Sequence, residues 1–334
     1  MQRIKHIDIL RGIAILLVVF GHITHIGPLR TYIWGFHIPI FFIISGGLFN
    51  KEKYMGTANF IKCTTRNLLF PYIFFYILTL LYWIFIEREV RGGDISIISQ
   101  LIGMVYGTYS MDYMMFNGAL WFIPCLFSME LMYWFIAKIK DKKILIGILA
   151  ITHICGIIFR EWIGWLPFGL CASMIGILFY GAGHLLRKHL LTKNFIKIKR
   201  YKLVICIFCF AILQYLCLPY TGADLAGLKI SYPPMYALIA FLGFSLYYMI
   251  SCLIGNSKWL EFLGANSLVI FALQEPVYRM VIFCIGKIFG IATDFIRENI
   301  LMCLLCTLLS ICIILPFISI YNMRIRPLLK NIHF

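Results

Sequence analysis

Ten apolar segments follow one another along the chain, at about residues 8–26, 33–49, 67–86, 119–137, 144–159, 166–186, 203–219, 235–254, 266–284 and 299–321. A helix needs about 20 predominantly apolar residues to cross a bilayer. The pattern therefore predicts an all-α fold, a polytopic integral membrane bundle of about ten transmembrane helices, with residues 1–334 forming a single transmembrane domain. No soluble domain, extended linker or internal repeat interrupts the series.

The connections give the orientation. In a ten-span bundle the termini and the connections near 51–66, 138–143, 187–202 and 258 share one side, which holds most of the 30 lysines and arginines. Basic connections stay in the cytoplasm. Both termini are expected there, in a multi-pass protein of the cell membrane, a bacterial inner or plasma membrane. The longest outer connection, 87–118, carries Glu87, Glu89, Asp94 and Asp112 against only Arg88 and Arg91. Its stretch "ISIISQLIGMVYG" is a candidate to lie along the interface. The basic connection "RKHLLTKNFIKIKRYK" either sets topology and contacts anionic lipid or binds an acidic ligand.

Composition agrees with this pattern: 62% of residues are hydrophobic, 13% are charged, and the mean hydropathy is +0.90. The net charge of +16 falls in short clusters between apolar runs. It reads as a topology signal and not as a nucleic-acid-binding face. Arg3 and Lys5 precede the first apolar run as in a signal peptide, but Asp8 and Arg11 interrupt it and no small-residue cleavage site follows, so a retained first helix is expected. Twelve cysteines lie in apolar surroundings, and the pairs Cys206/Cys209 and Cys303/Cys306 lack accompanying histidine or carboxylate ligands. They read as small core residues, with no metal site expected.

Ionisable side chains inside spans are costly and normally face the bundle interior, where they mark a site or a pathway. Asp8 and Arg11 stand three apart on one face of the first span, as a structural ion pair or part of a site. His22 follows Arg11 by eleven residues, about 16 Å and about three turns along a helix, so the two share a face at opposite ends. The short connection to the second span brings His37 to nearly the depth of His22, and two imidazoles at one depth suit a reaction centre. His25, His153 and His184 read as hydrogen-bonded packing residues. Ser45, Gly46 and Gly47 give the second span a small face for close approach of a helix or a slender ligand. Arg66 opens the third span; Asn117 and Trp121 open the fourth, with Glu130 deeper in it. Gln274, Glu275 and Arg279 interrupt the ninth, where Pro276 frees backbone groups and is expected to kink the helix. Glu275 with Arg279 is either an i,i+4 salt bridge or a site.

Taken together, "IDILRGIAILLVVFGH", containing Arg11-x10-His22, "FHIPIFFIISG" and "LWFIP" at 120–124 resemble the membrane acyltransferase family 3, and within it the fucose 4-O-acetylase-like group. The resemblance implies acyl transfer, commonly of acetyl from cytoplasmic acetyl-CoA, to a sugar hydroxyl at or beyond the outer face. It makes His22 the catalytic histidine, Arg11 its motif partner, and His37 and Ser45 site residues of the second span. The chain departs from the family where many members place R-x-x-R before the third span: Cys63 takes the earlier position and only Arg66 remains. Gln274 stands where fucose-acetylase relatives often have histidine. With no appended extracytoplasmic domain, the membrane unit is expected to perform the whole reaction.

The chemistry fits those residues. A sugar hydroxyl needs a positioned base within about 3 Å, and neutral His22 can serve, with His37 orienting it or donating to the developing oxyanion. Asp8, Arg11, Ser45, Arg66, Asn117, Trp121, Gln274 and Glu275 are the candidate donor- and substrate-binding residues. Among them Arg11 and Arg66 suit CoA phosphates. Trp34 and Trp121 either stack on a sugar or anchor the interface. Direct transfer and an acetyl-histidine intermediate both remain open. The expected partners are acetyl-CoA as donor substrate, a glycan or glycolipid acceptor and the lipid bilayer, with no tightly bound cofactor and no nucleic acid. A transporter or flippase would use the same buried charges without consuming acetyl-CoA. A non-catalytic scaffold would tolerate loss of both His22 and His37.

Overall fold

The computed structural model describes residues 4–110, 113–163, 166–192 and 199–331. Arg3, Asp112 and the 193–198 part of the basic connection lie outside the described residues. The protein is a helical bundle. Its elements are α1 (Lys5–Ile23), α2 (Gly27–Trp34), α3 (His37–Leu48), α4 (Thr57–Thr64), α5 (Phe70–Tyr82), α6 (Ile97–Tyr106), α7 (Phe122–Ile136), α8 (Lys142–Trp162), α9 (Leu170–Leu185), α10 (Arg187–Leu191) and α11 (Arg200–Leu216). A two-residue antiparallel hairpin follows, β1 (Ala223–Asp224) with β2 (Lys229–Ile230). Next come α12 (Pro233–Ile254), α13 (Lys258–Ala265), α14 (Ser267–Phe289), α15 (Thr293–Glu298), α16 (Ile300–Ile320) and α17 (Arg326–Asn331).

Among the described residues nine helical segments are long and apolar enough to cross a membrane. The tenth expected span is α11, whose 17 residues give about 26 Å at about 1.5 Å per residue, somewhat short of a hydrocarbon core of about 30 Å. Three other expectations shift. The third span begins at Thr57, not near 67, and runs unbroken to Glu87. Its extra turns bury Phe60 and Thr64 while Lys62 and Arg66 stay partly exposed, so charge does not end the helix. The second span begins at Gly27 and is interrupted at Gly35–Phe36, where Phe36 leaves helical geometry (φ −143°, ψ −16°). In "ISIISQLIGMVYG", α6 buries Gln100 and Gly103 and exposes Ile98, Leu101, Ile102 and Val105, an outward apolar stripe at helical spacing.

Helix α1 is central, packing against α3, α12, α13, α14 and α16. The small face of α3 meets α9. A Cβ on Gly46 would overlap the carbonyl oxygen of Tyr180, and one on Gly183 that of Ile43. Gly46 thus serves backbone-to-backbone helix packing and leaves no room for a ligand at that point.

Helix α14 continues through Pro276. Proline has no N–H, so it leaves the carbonyl of Ala272, four residues earlier, without its helical donor. The Asn117 amide supplies the replacement, donating to Ala272 O at 2.8 Å and to Thr79 Oγ1 at 3.3 Å. Inside a bilayer such a freed carbonyl needs a protein partner. Asn117 therefore ties the start of the fourth span to α5 and α14.

Candidate active site

The break at Gly35–Phe36 turns α2 back over the end of α1 and brings three rings together. The centroid of the Trp34 indole lies 5.7 Å from that of His22 and 6.3 Å from that of His37. Trp34 Nε1 donates to the carbonyl of Gly21 at 3.1 Å, which fixes the indole against the last turn of α1. His37 Nδ1 lies 2.9 Å from the carbonyl oxygen of Ile33. A carbonyl can only accept, so Nδ1 carries the proton and the neutral ring offers Nε2 as a lone pair. His22 makes no hydrogen bond to any described residue and is half-buried. Both histidines line a narrow pocket of about 30 Å³ with Trp34, Ile38, Trp121, Phe271 and residues 223–226 of the hairpin.

The wall behind this pocket is charged and internally paired. Arg279 donates to Glu275 Oε1 at 2.7 Å, to Glu87 Oε1 at 3.0 Å and to the carbonyl of Phe116. Glu275 Oε2 accepts the backbone N–H of Ala119 at 2.9 Å, and Arg91 donates to Met115 O at 2.7 Å. Glu275 is thus an i,i+4 partner of Arg279 and also the anchor of the turn that presents Trp121. Gln274 is fully buried, and neither its amide nitrogen nor its amide oxygen has a hydrogen-bond partner among the described residues. It lies three residues beyond Phe271, on the same face of α14.

At the other end of α1, Asp8 and Arg11 form an ion pair at 3.7 Å. At that end of α14 lies a larger cavity, about 350 Å³, lined by Arg66, Asn67, Asn266, Leu268, Tyr321, Asn322 and Arg326 among others. Its amides form a chain: Asn322 Nδ2 donates to Asn266 Oδ1 at 2.7 Å, and Asn266 Nδ2 to Phe262 O at 2.8 Å. Leu268 lines this cavity and Phe271 lines the histidine pocket. Three residues, a rise of about 4.5 Å, separate these two along α14.

The residues singled out from sequence therefore fall into separate places. His22, His37 and Trp121 share the pocket; Glu275 and Asn117 build its wall; Gln274 lies beside it; Arg66 lines the opposite cavity. Asp8 and Arg11 pair at the opposite end of α1 from His22, and Ser45 lies eight residues, about 12 Å, beyond His37 on α3. Trp34 and Trp121 line the pocket. Glu130 accepts from Thr64 Oγ1 at 3.3 Å.

The three histidines expected to be packing residues have protein partners. His153 meets Ile175 O at 2.6 Å, His184 meets the Tyr133 hydroxyl at 2.6 Å, and His25 Nε2 accepts from Arg297. Partial burial, followed by the Arg297 and Arg30 guanidiniums, holds His25 below the ordinary imidazole pKa. This agrees with a neutral ring accepting from arginine. Sequence reasoning missed Arg30, Asp224, Asn266, Asn322 and Arg326. The turn residues of "TGADLAGLKIS" were the available sign for Asp224.

Nine described helical segments long and apolar enough to cross a membrane, carrying a histidine-lined pocket and an arginine-lined cavity, are the frame of a multi-pass membrane protein. The family model described as an acyltransferase domain matches residues 4–318. The chain belongs to that family, acyltransferase family 3, and is a membrane acyltransferase. No curated protein and no solved structure matches the chain significantly.

Proposed function

We propose that the protein transfers an acetyl group from cytoplasmic acetyl-CoA to a hydroxyl of a cell-surface or exported glycan, with His22 as general base. The observation that carries this reading is the half-buried His22 ring, with no hydrogen bond among the described residues, in a pocket that shares α14 with the arginine-lined cavity. Arg66 and Arg326 would hold the CoA phosphates at the cytoplasmic face, and the slender pantetheine arm would pass Leu268 towards Phe271. His22 takes the proton of the acceptor hydroxyl; the oxygen attacks the thioester carbonyl carbon; the C–S bond breaks; and the CoA thiolate regains the proton from the imidazolium. His37, its Nδ1 proton engaged by the Ile33 carbonyl, presents Nε2 as an acceptor to the same pocket. The unpaired amide of Gln274 is the nearby donor suited to the developing oxyanion.

Mass analysis of surface glycans before and after mild alkali, from cells with and without the gene, tests the reaction. An alkali-labile acetyl mass present only with the gene is expected; identical glycans would refute O-acetylation. The donor site has its own test. Arg66→Ala and Arg326→Ala are each expected to raise the KM for acetyl-CoA at least about tenfold, the effect of losing a charge-assisted hydrogen bond, while leaving the KM for the acceptor unchanged. Unchanged acetyl-CoA kinetics in both would remove the cavity from donor binding.

A further inference from the structure

The hairpin over the histidine pocket is a built element. Arg160 of α8 donates to the carbonyls of Leu228 and Ile230 at 3.3 and 3.4 Å, and Ser231 N–H donates to Gly222 O at 2.7 Å. Ala223, Leu225 and Ile230 are buried, which seats the hairpin on the bundle. Between them Asp224 enters the lining of the pocket that holds His22 and His37. Its Oδ1 accepts the N–H of Gly227 at 3.0 Å, closing the turn, and its other carboxylate oxygen has no hydrogen-bond partner among the described residues. Arg30 adjoins a lining residue of the pocket: its guanidinium carbon lies 4.3 Å from the centroid of Trp34, the indole that packs beside His22. The Arg30 guanidinium makes no hydrogen bond to a described side chain or carbonyl and forms no ion pair with Asp224, yet the two charges lie within electrostatic reach of each other and of His22.

Asp224 lines the pocket and Arg30 lies over the indole of Trp34, another lining residue, so two opposite charges that do not pair with each other flank the site. The pocket, about 30 Å³, admits a hydroxyl and not a whole ring, so a polyhydroxylated ring would lie across its mouth. One hydroxyl donates to the free Asp224 oxygen, another accepts from Arg30, and the indoles of Trp34 and Trp121 supply apolar faces for the C–H side of the ring. Because the two charges cancel, the pair favours an uncharged sugar; an anionic one would meet the carboxylate.

We propose that Asp224, with Arg30, forms the acceptor subsite and is a specificity-determining residue for a neutral sugar unit. This rests on the acyl-transfer reading above. The test uses the full-length protein in proteoliposomes, acetyl-CoA as donor, and as acceptor probe the surface polysaccharide of cells lacking the gene, de-esterified with mild alkali. Asp224→Asn is the informative variant. It keeps an amide oxygen for Gly227 N–H, so the turn survives, and replaces only the free oxygen by a donor.

The expected result is a KM for the polysaccharide raised at least about tenfold, the factor supplied by one charge-assisted hydrogen bond. The KM for acetyl-CoA should stay at its wild-type value. Arg30→Gln should shift the same parameter in the same direction. An unchanged polysaccharide KM in both variants, or a lowered one in Asp224→Asn, overturns the subsite while leaving acyl transfer standing. Equal loss with both substrates together with a lower unfolding temperature also overturns it, making the hairpin merely structural. A wild-type protein that transfers nothing to the polysaccharide refutes the acyl-transfer reading itself, and the subsite with it.

Discussion

Replacing His22 with alanine is expected to lower acyl transfer by about 10²–10⁴-fold, the range a positioned general base supplies, without a matching loss of stability. The second half of that expectation follows from the structure. His22 makes no hydrogen bond to the described protein, and its ring contact is with Trp34, which stays anchored to Gly21. Truncation therefore leaves no buried polar group orphaned. Initial rates of glycan acylation in proteoliposomes, measured beside the thermal unfolding of the same purified samples, separate the two effects. His37→Ala supplies the contrast: it strips the Ile33 carbonyl of its side-chain donor, so part of its rate loss should be accompanied by a lower unfolding temperature. A His22→Ala protein that retains wild-type rates would return His22 to the packing residues and end the general-base reading.

The largest stability effect is expected at Glu275. Its two oxygens engage different elements, Arg279 on its own helix and the N–H of Ala119 across the bundle. Alanine there removes one of two carboxylates around a largely buried guanidinium and orphans a backbone donor. Breaking such a buried pair typically costs about 3–5 kcal/mol. Arg279 keeps Glu87 and the Phe116 carbonyl, which places the expected loss at the lower end of that range. Glu275→Gln keeps an oxygen for Ala119 and should lose less. Thermal unfolding in detergent, ordered wild type, then glutamine, then alanine, is the expected result. Equal unfolding of all three would show that this wall bears no stability, and the positioning of Trp121 through it would fall as well.

Much of the bundle was legible because each apolar run has to satisfy its own backbone hydrogen bonds in lipid, which leaves a helix as the local solution. Helix arithmetic also placed His22 eleven residues beyond Arg11, and the continuous α1 keeps that separation. Other residues required long-range information. Pro276 announced a freed carbonyl, but its partner, Asn117, comes from 155 residues away in the chain. Gly46 announced close packing, but only the arrival of α9 shows that a helix occupies the small face. Arg326 and Asn322 stand near the C-terminal end of the last span, where a basic cluster reads as topology until α13–α14 and the third span close a cavity around it.

By itself, the sequence determined the class of protein, the succession of spans and the motif that places the chain among membrane acyltransferases, because hydropathy and short motifs are local properties. Tertiary structure alone decided which polar groups are consumed by the scaffold and which remain open. The Asn117 amide nitrogen, Glu275, Arg279 and His153 Nδ1 are engaged by partners across the bundle, whereas His22, Gln274 and the second oxygen of Asp224 have none among the described residues. Pairing across a bundle depends on which distant helix arrives at which depth, and no local pattern of residues encodes that.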